Sequence, residues 1–81
     1  MNPQTLPKTV RTSDLYFAAY LQTIGLPLVG TPREGNRVHF EFDTSLCDYE
    51  SLKALWFNGQ GKVAALPFSN SIKSLKSICH M

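Results

Sequence analysis

Arg37-Val38-His39-Phe40-Glu41-Phe42-Asp43 is the stretch that decides the fold. Apolar and polar residues alternate with the period of a β-strand, so Val38, Phe40 and Phe42 point one way and Arg37, His39, Glu41 and Asp43 the other. One face is buried and the other is wet. Just upstream, Thr31-Pro32-Arg33-Glu34-Gly35-Asn36 reads as a turn. Before it, residues 26–31 read as a second, shorter strand, with Pro27 placing it at an edge or marking its start. The two runs pair as an antiparallel hairpin. Two strands are not stable alone, so helices must cover the apolar face, or another chain must complete the edge.

Helices flank the hairpin. Thr12 or Ser13 offers an N-cap hydroxyl and Asp14 adds negative charge to the positive helix end. Phe17, Tyr20, Leu21 and Ile24 then fall on one face, and Leu15, Ala18 and Ala19 widen it around the helix. Gly25 stops this helix, with Pro27 just beyond. Downstream, Asp48 is the expected N-cap of a second helix, with Tyr49, Leu52, Leu55 and Trp56 on one face and Phe57 off it. Asn58-Gly59-Gln60-Gly61 ends it. Residues 62–66 stay open between an extended stretch and a third strand. Pro67 is expected to precede a third helix capped near Ser69, with the stripe Phe68, Ile72, Leu75 and Cys79. The leading residues 1–11, with two prolines and no periodicity, read as a flexible arm.

The expected order is therefore α-β-β-α-α, in a single small two-layer α+β domain spanning residues 12–81, an antiparallel hairpin covered by helices. Thr12-Ser13-Asp14-Leu15-Tyr16-Phe17-Ala18-Ala19-Tyr20-Leu21, the strand at 37–42, Phe57-Asn58-Gly59, and Leu75-Lys76-Ser77-Ile78 together resemble a small family of bacterial and phage-associated domains of unknown function. The resemblance covers residues 12–79 and implies the same element order; it carries no activity, cofactor or site residue.

Eighty-one residues make one domain. A chain of this length buries roughly 60% of the surface its unfolded state exposes, enough for one core but not for a core and a deep catalytic cleft. Two cysteines, Cys47 and Cys79, are fewer than a disulfide-stapled secreted mini-protein carries. The N-terminus lacks a signal-peptide pattern, and no apolar run approaches the ~20 residues of a membrane span. These observations imply a cytoplasmic protein with two reduced thiols and no membrane partner.

Charge is unevenly distributed. Residues 51–81 hold Lys53, Lys62, Lys73 and Lys76 and no acid, whereas residues 1–50 hold four basic and six acidic residues. A basic end hints at a polyanionic partner. Lys73 and Lys76 share a helical face, and Lys62, Lys73 and Lys76 are the candidate phosphate contacts. Lys8, Arg11, Arg33 and Arg37 join them if the hairpin tip and the arm lie close by.

Other chemistry is thinly supported. Cys47, Cys79, His39 and His80 lack the paired spacing of a zinc site, and Cys79 completes an apolar stripe. No spacing brings either thiol to either imidazole as a nucleophile pair. Glu41 and Asp43 share a strand face, as solvated sheet residues commonly do. Asn58-Gly59-Gln60-Gly61-Lys62 lacks the spacing of a nucleotide-binding loop and reads as a helix end. No catalytic, cofactor-binding or metal-ligating residue is therefore assigned. The expectation is a non-enzymatic protein-interaction or self-assembly module, with Tyr16 and Phe57 as candidate interface residues. The alternative is a nucleic-acid-associated protein using Lys62, Lys73 and Lys76.

Overall fold

A computed structural model describes residues 8–80. The elements run β1 (Thr9–Thr12), α1 (Leu15–Thr23), β2 (Leu28–Gly30), β3 (Arg33–Glu34), β4 (Arg37–Val38), β5 (Phe40–Asp43), α2 (Tyr49–Phe57) and α3 (Ala65–Cys79). The architecture is two-layer α+β, with helices on one face of an antiparallel sheet.

The expected hairpin is present. Leu28 pairs with Phe42 and Gly30 with Glu41, with a register shift between them. The ribbon continues as β3–β4, where Arg33 faces Val38 and Glu34 faces Arg37 across the Gly35-Asn36 turn. His39 donates its backbone N–H to the Pro32 carbonyl at 2.8 Å and joins the two halves. Alternation along β4 and β5 works out as the sequence implies: Val38, Phe40 and Phe42 are all buried.

The expectation of a flexible arm is corrected from Thr9 onward. Thr9–Thr12 forms a strand paired antiparallel to β5, with Val10 opposite Phe42 and Arg11 opposite Glu41. The strand order β1-β5-β2 makes β5 the central strand and gives the hairpin a third member. Thr-Val-Arg-Thr is β-favouring, but four residues are too few for periodicity to stand out; the unpaired edge of β5 recruits them. Residues 1–7 of the expected arm lie outside the described residues.

With Thr12 committed to β1, the cap of α1 moves to Asp14. Its Oδ1 accepts the N–H groups of Tyr16 and Phe17 at 3.0 and 3.1 Å, and Thr12 Oγ1 accepts that of Asp14 at 3.1 Å. Five consecutive residues of α1, Phe17 to Leu21, are buried. The helix packs against α3 and β1, and Ala18 and Ala19 are completely covered, so small side chains let the backbones approach. Much of its apolar girth is thus covered within the chain. Helix α1 ends at Ile24, followed by Gly25 at φ 108°.

Helix α3 begins earlier than the sequence suggests. Residues 60–64 are irregular rather than a strand, and α3 starts at Ala65 with Pro67 inside its first turn. The first helical N–H groups have no intrahelical acceptor, so a proline there forfeits nothing. Ser69 is accordingly interior and does not cap; Ala64 is the N-cap, with no side-chain hydrogen bond. Leu75 is fully buried, with Phe68, Ile72 and Cys79 packed against the core, as the apolar stripe requires.

Candidate interaction surfaces

Helix α2 is positioned differently from the other two. Asp48 caps it as expected, accepting the Ser51 backbone N–H at 3.3 Å and the Ser51 hydroxyl at 2.7 Å. These bonds, the hydroxyl first, hold the Asp48 carboxyl below its ordinary pKa. Yet none of the nine residues of α2 is buried. What fastens it is a set of rings. Phe17 of α1 lies 6.2 Å from Tyr49, 6.1 Å from Trp56 and 5.5 Å from Phe57, centroid to centroid. Tyr20 lies 5.0 Å from Trp56, and Trp56 lies 6.3 Å from Phe68 of α3. These tilted pairs have the separations at which aromatic quadrupoles attract. Trp56 is half-buried, packed against the core, and forms the hub where three helices meet.

Several large apolar side chains on these three helices are open. Phe57 is 63% exposed and Tyr16, next in sequence to the buried Phe17, is 56% exposed. Leu66 at the start of α3 is 70% exposed. Gly61 lies against the Tyr20 ring, where an added Cβ would come within 3.0 Å of Cε1. Burial, and secondarily the Glu50 charge, raise the Tyr49 phenol above its ordinary pKa.

The three candidate lysines therefore separate. Lys62, Lys73 and Lys76 are all exposed, but Lys62 precedes the first turn of α3 and Lys76 lies in its last. Between them stand the eleven helical steps from Ala65 to Lys76, a rise of about 17 Å at ~1.5 Å per residue. Lys73 and Lys76 do share one outward face. A residue that spacing alone left unplaced joins them: Arg33, at the hairpin tip, donates from Nη2 to the Ile78 carbonyl at 3.3 Å. The hairpin tip thus abuts the C-terminal end of α3, where cations are favoured by the helix dipole.

Acidic groups are mostly occupied elsewhere. On the open face of the sheet, Arg11 donates from Nε and Nη2 to Glu41 Oε2 at 3.0 and 2.6 Å. Glu34 approaches Arg11 Nη1 at 3.8 Å and His39 Nε2 at 3.0 Å. Asp43 Oδ1 accepts the Ser45 N–H at 2.9 Å, and this bond chiefly lowers its pKa. Asp14 and Asp48 cap helices. Among the described residues no lysine forms an ion pair.

The residues weighed for catalysis or metal binding are dispersed. His39 is held by Glu34 on the open sheet face, and His80 is the C-cap of α3. Cys47 Sγ donates to the Thr44 carbonyl at 3.7 Å, and Cys79 packs against the core. Both cysteines are free thiols. A groove of about 400 Å³ runs between Lys8-Thr9-Val10 and Asp48-Tyr49-Glu50. An apolar notch of about 260 Å³ lies between Ile24-Gly25-Leu26-Pro27 and Leu46-Cys47. Among the described residues no helix is long and apolar enough to cross a membrane. Comparison with family models, curated proteins and solved structures finds no match.

Proposed function

We propose that this chain is a non-enzymatic protein-interaction module, and that a second copy of the chain covers the aromatic face built on α1 and α2. One observation carries this reading. A helix with no buried residue is fixed by an aromatic hub whose outer ring, Phe57, remains more than half exposed, as does Tyr16 next in sequence to the hub residue Phe17. A nine-residue helix has little stability of its own, so the chain retains α2 for what it presents. Exposed rings clustered around a rigid, part-buried tryptophan are the composition of an interface hot spot. The shallow grooves and dispersed thiol, imidazole and carboxylate groups support a binding role over catalysis.

Sedimentation equilibrium across a concentration series tests the proposal. The mass should rise from one chain toward two, and Phe57→Ser should return it to one without changing the far-ultraviolet dichroism. A single-chain mass maintained to about 1 mM, where association is worth only about 4 kcal/mol, would refute self-association through this face.

A further inference from the structure

We infer that the second copy joins through strand β1, edge to edge and antiparallel, about a two-fold axis at Val10. This rests on the self-association proposed above and adds the route by which the copies meet. The strand order β1-β5-β2 leaves two outer strands. Strand β2 is blunted, because Pro27 stands just before it and its register shifts between Leu28 and Gly30. Strand β1 carries neither device. Thr44 donates its backbone N–H to the Lys8 carbonyl at 2.8 Å, and this bond sets the phase of the ladder. Backbone groups of Lys8, Val10 and Thr12 turn toward β5, and those of Thr9 and Arg11 turn away from it. Among the described residues no strand takes up those outward amides and carbonyls.

The outward set is complementary to itself. With Val10 opposite Val10 of the other copy, Thr9 faces Arg11 and Arg11 faces Thr9, and each such pair exchanges two hydrogen bonds. Every outward group of Thr9 and Arg11 is then paired, as a two-fold contact between like surfaces requires. Charge agrees with this register. Lys8 is exposed and comes opposite Thr12 of the other copy, two residues short of the exposed Asp14. Capping of α1 uses only Oδ1 of that carboxylate. Arg11 brings no repulsion to the seam, because Glu41 of its own chain holds its guanidinium at 2.6 Å. Antiparallel pairing also keeps both helical layers on one side of the joined sheet. The groove between Lys8-Thr9-Val10 and Asp48-Tyr49-Glu50 puts the first turn of α2 at the Lys8 end of the seam. Tyr16 follows Thr12 by four residues, at the opposite end. The two-fold axis brings the α2 end of one copy to the Tyr16 end of the other, so the aromatic face continues across the seam.

Amide exchange followed by NMR on the intact chain tests this pairing. Val10 and Thr12 amides, already bonded to β5, should be protected at every concentration. Those of Thr9 and Arg11 should slow about threefold or more between about 50 μM and about 1 mM chain, for a dissociation constant of about 0.1 mM. Thr9→Pro removes one outward donor and no bond to β5. It should hold the sedimentation mass at one chain while Val10 and Thr12 keep their protection. Lys8→Glu should weaken the dimer by roughly tenfold, because the charge is reversed at both ends of the seam. A dimer in which Thr9 and Arg11 exchange freely would overturn the inference and leave the aromatic face standing. So would a folded Thr9→Pro chain that dimerises as tightly as its parent. A dimer that survives Phe57→Ser but not Thr9→Pro would uphold β1 pairing and sink the aromatic face. A single-chain mass to about 1 mM would remove both. Should Thr9→Pro fail to fold, exchange in the unaltered chain still decides.

Discussion

Replacing Trp56 with alanine should release α2 while the rest of the domain stays folded. The hub ring meets Phe17, Tyr20 and Phe68 at 6.1, 5.0 and 6.3 Å. Each such pair contributes ~0.5–1.5 kcal/mol beyond area burial, so three bound the loss at about 1.5–4.5 kcal/mol. Because the ring is only partly buried and its neighbours can relax, we expect about 2–3 kcal/mol. A domain of this length is stable by ~4–12 kcal/mol, enough to survive. Alone, a nine-residue helix is marginal, so the loss falls on α2. Native-state hydrogen exchange by NMR resolves this. Backbone amides of residues 52–57 should lose protection by roughly 30- to 150-fold, while those of α1 and β5 keep theirs. Trp56→Phe should restore most of it. Uniform loss across every element would refute the idea that α2 is a separately fastened unit.

The Asp48 cap gives α2 an acid limit. Its folded pKa is depressed, so the stabilisation is fully present above the unfolded value near ~3.9 and disappears as pH falls through the folded pKa. Fluorescence of Trp56, the chain's single tryptophan, should report undocking in that window, and Asp48→Asn should weaken the dependence. Gly25→Ala should cost about 1–2 kcal/mol in urea unfolding, because φ 108° is hostile to an L side chain though space is open. Gly30→Ala should be near neutral: its Cβ would lie 2.7 Å from Glu41 Oε1, but that carboxylate can swing away, and the lost surface pair of ~0.2–1 kcal/mol is matched by ~0.4–1 kcal/mol from a stiffer unfolded chain. Phe42→Ala, at 0% exposure, should cost ~3–5 kcal/mol and lower the midpoint of a thermal melt by roughly 12–40 °C. Ser69→Ala should stay within ~0.5 kcal/mol, since Ala64 and not Ser69 begins the helix.

Strong periodicity made parts of this fold legible. Val38, Phe40 and Phe42 alternate, and Phe68, Ile72, Leu75 and Cys79 recur at helical spacing; each pattern reports a face pressed on the core. Asp48 was legible because an N-cap works locally. What sequence left hidden depends on partners far along the chain. Thr9–Thr12 becomes a strand because β5 offers an edge some thirty residues later. The capping hydroxyl expected at Thr12 yields to Asp14 for the same reason. Pro67 looked like a boundary, although first-turn geometry tolerates it. Among site residues, exposure of Tyr16 and Phe57 followed from their places off the apolar stripes. The separation of Lys62 from Lys76 follows once α3 runs from Ala65, and the arrival of Arg33 at Ile78 is a tertiary event that no local pattern signals.

Strand β1 has a practical meaning for anyone who trims this protein. Cutting the chain to start at Ser13 would look harmless if the leader were a mere tail. It would instead strip the partner from one flank of β5, baring alternate amide and carbonyl groups between Phe40 and Asp43. An unguarded border of that kind invites strands from neighbouring molecules. The shortened chain should therefore precipitate or form fibres under conditions where the intact one remains clear.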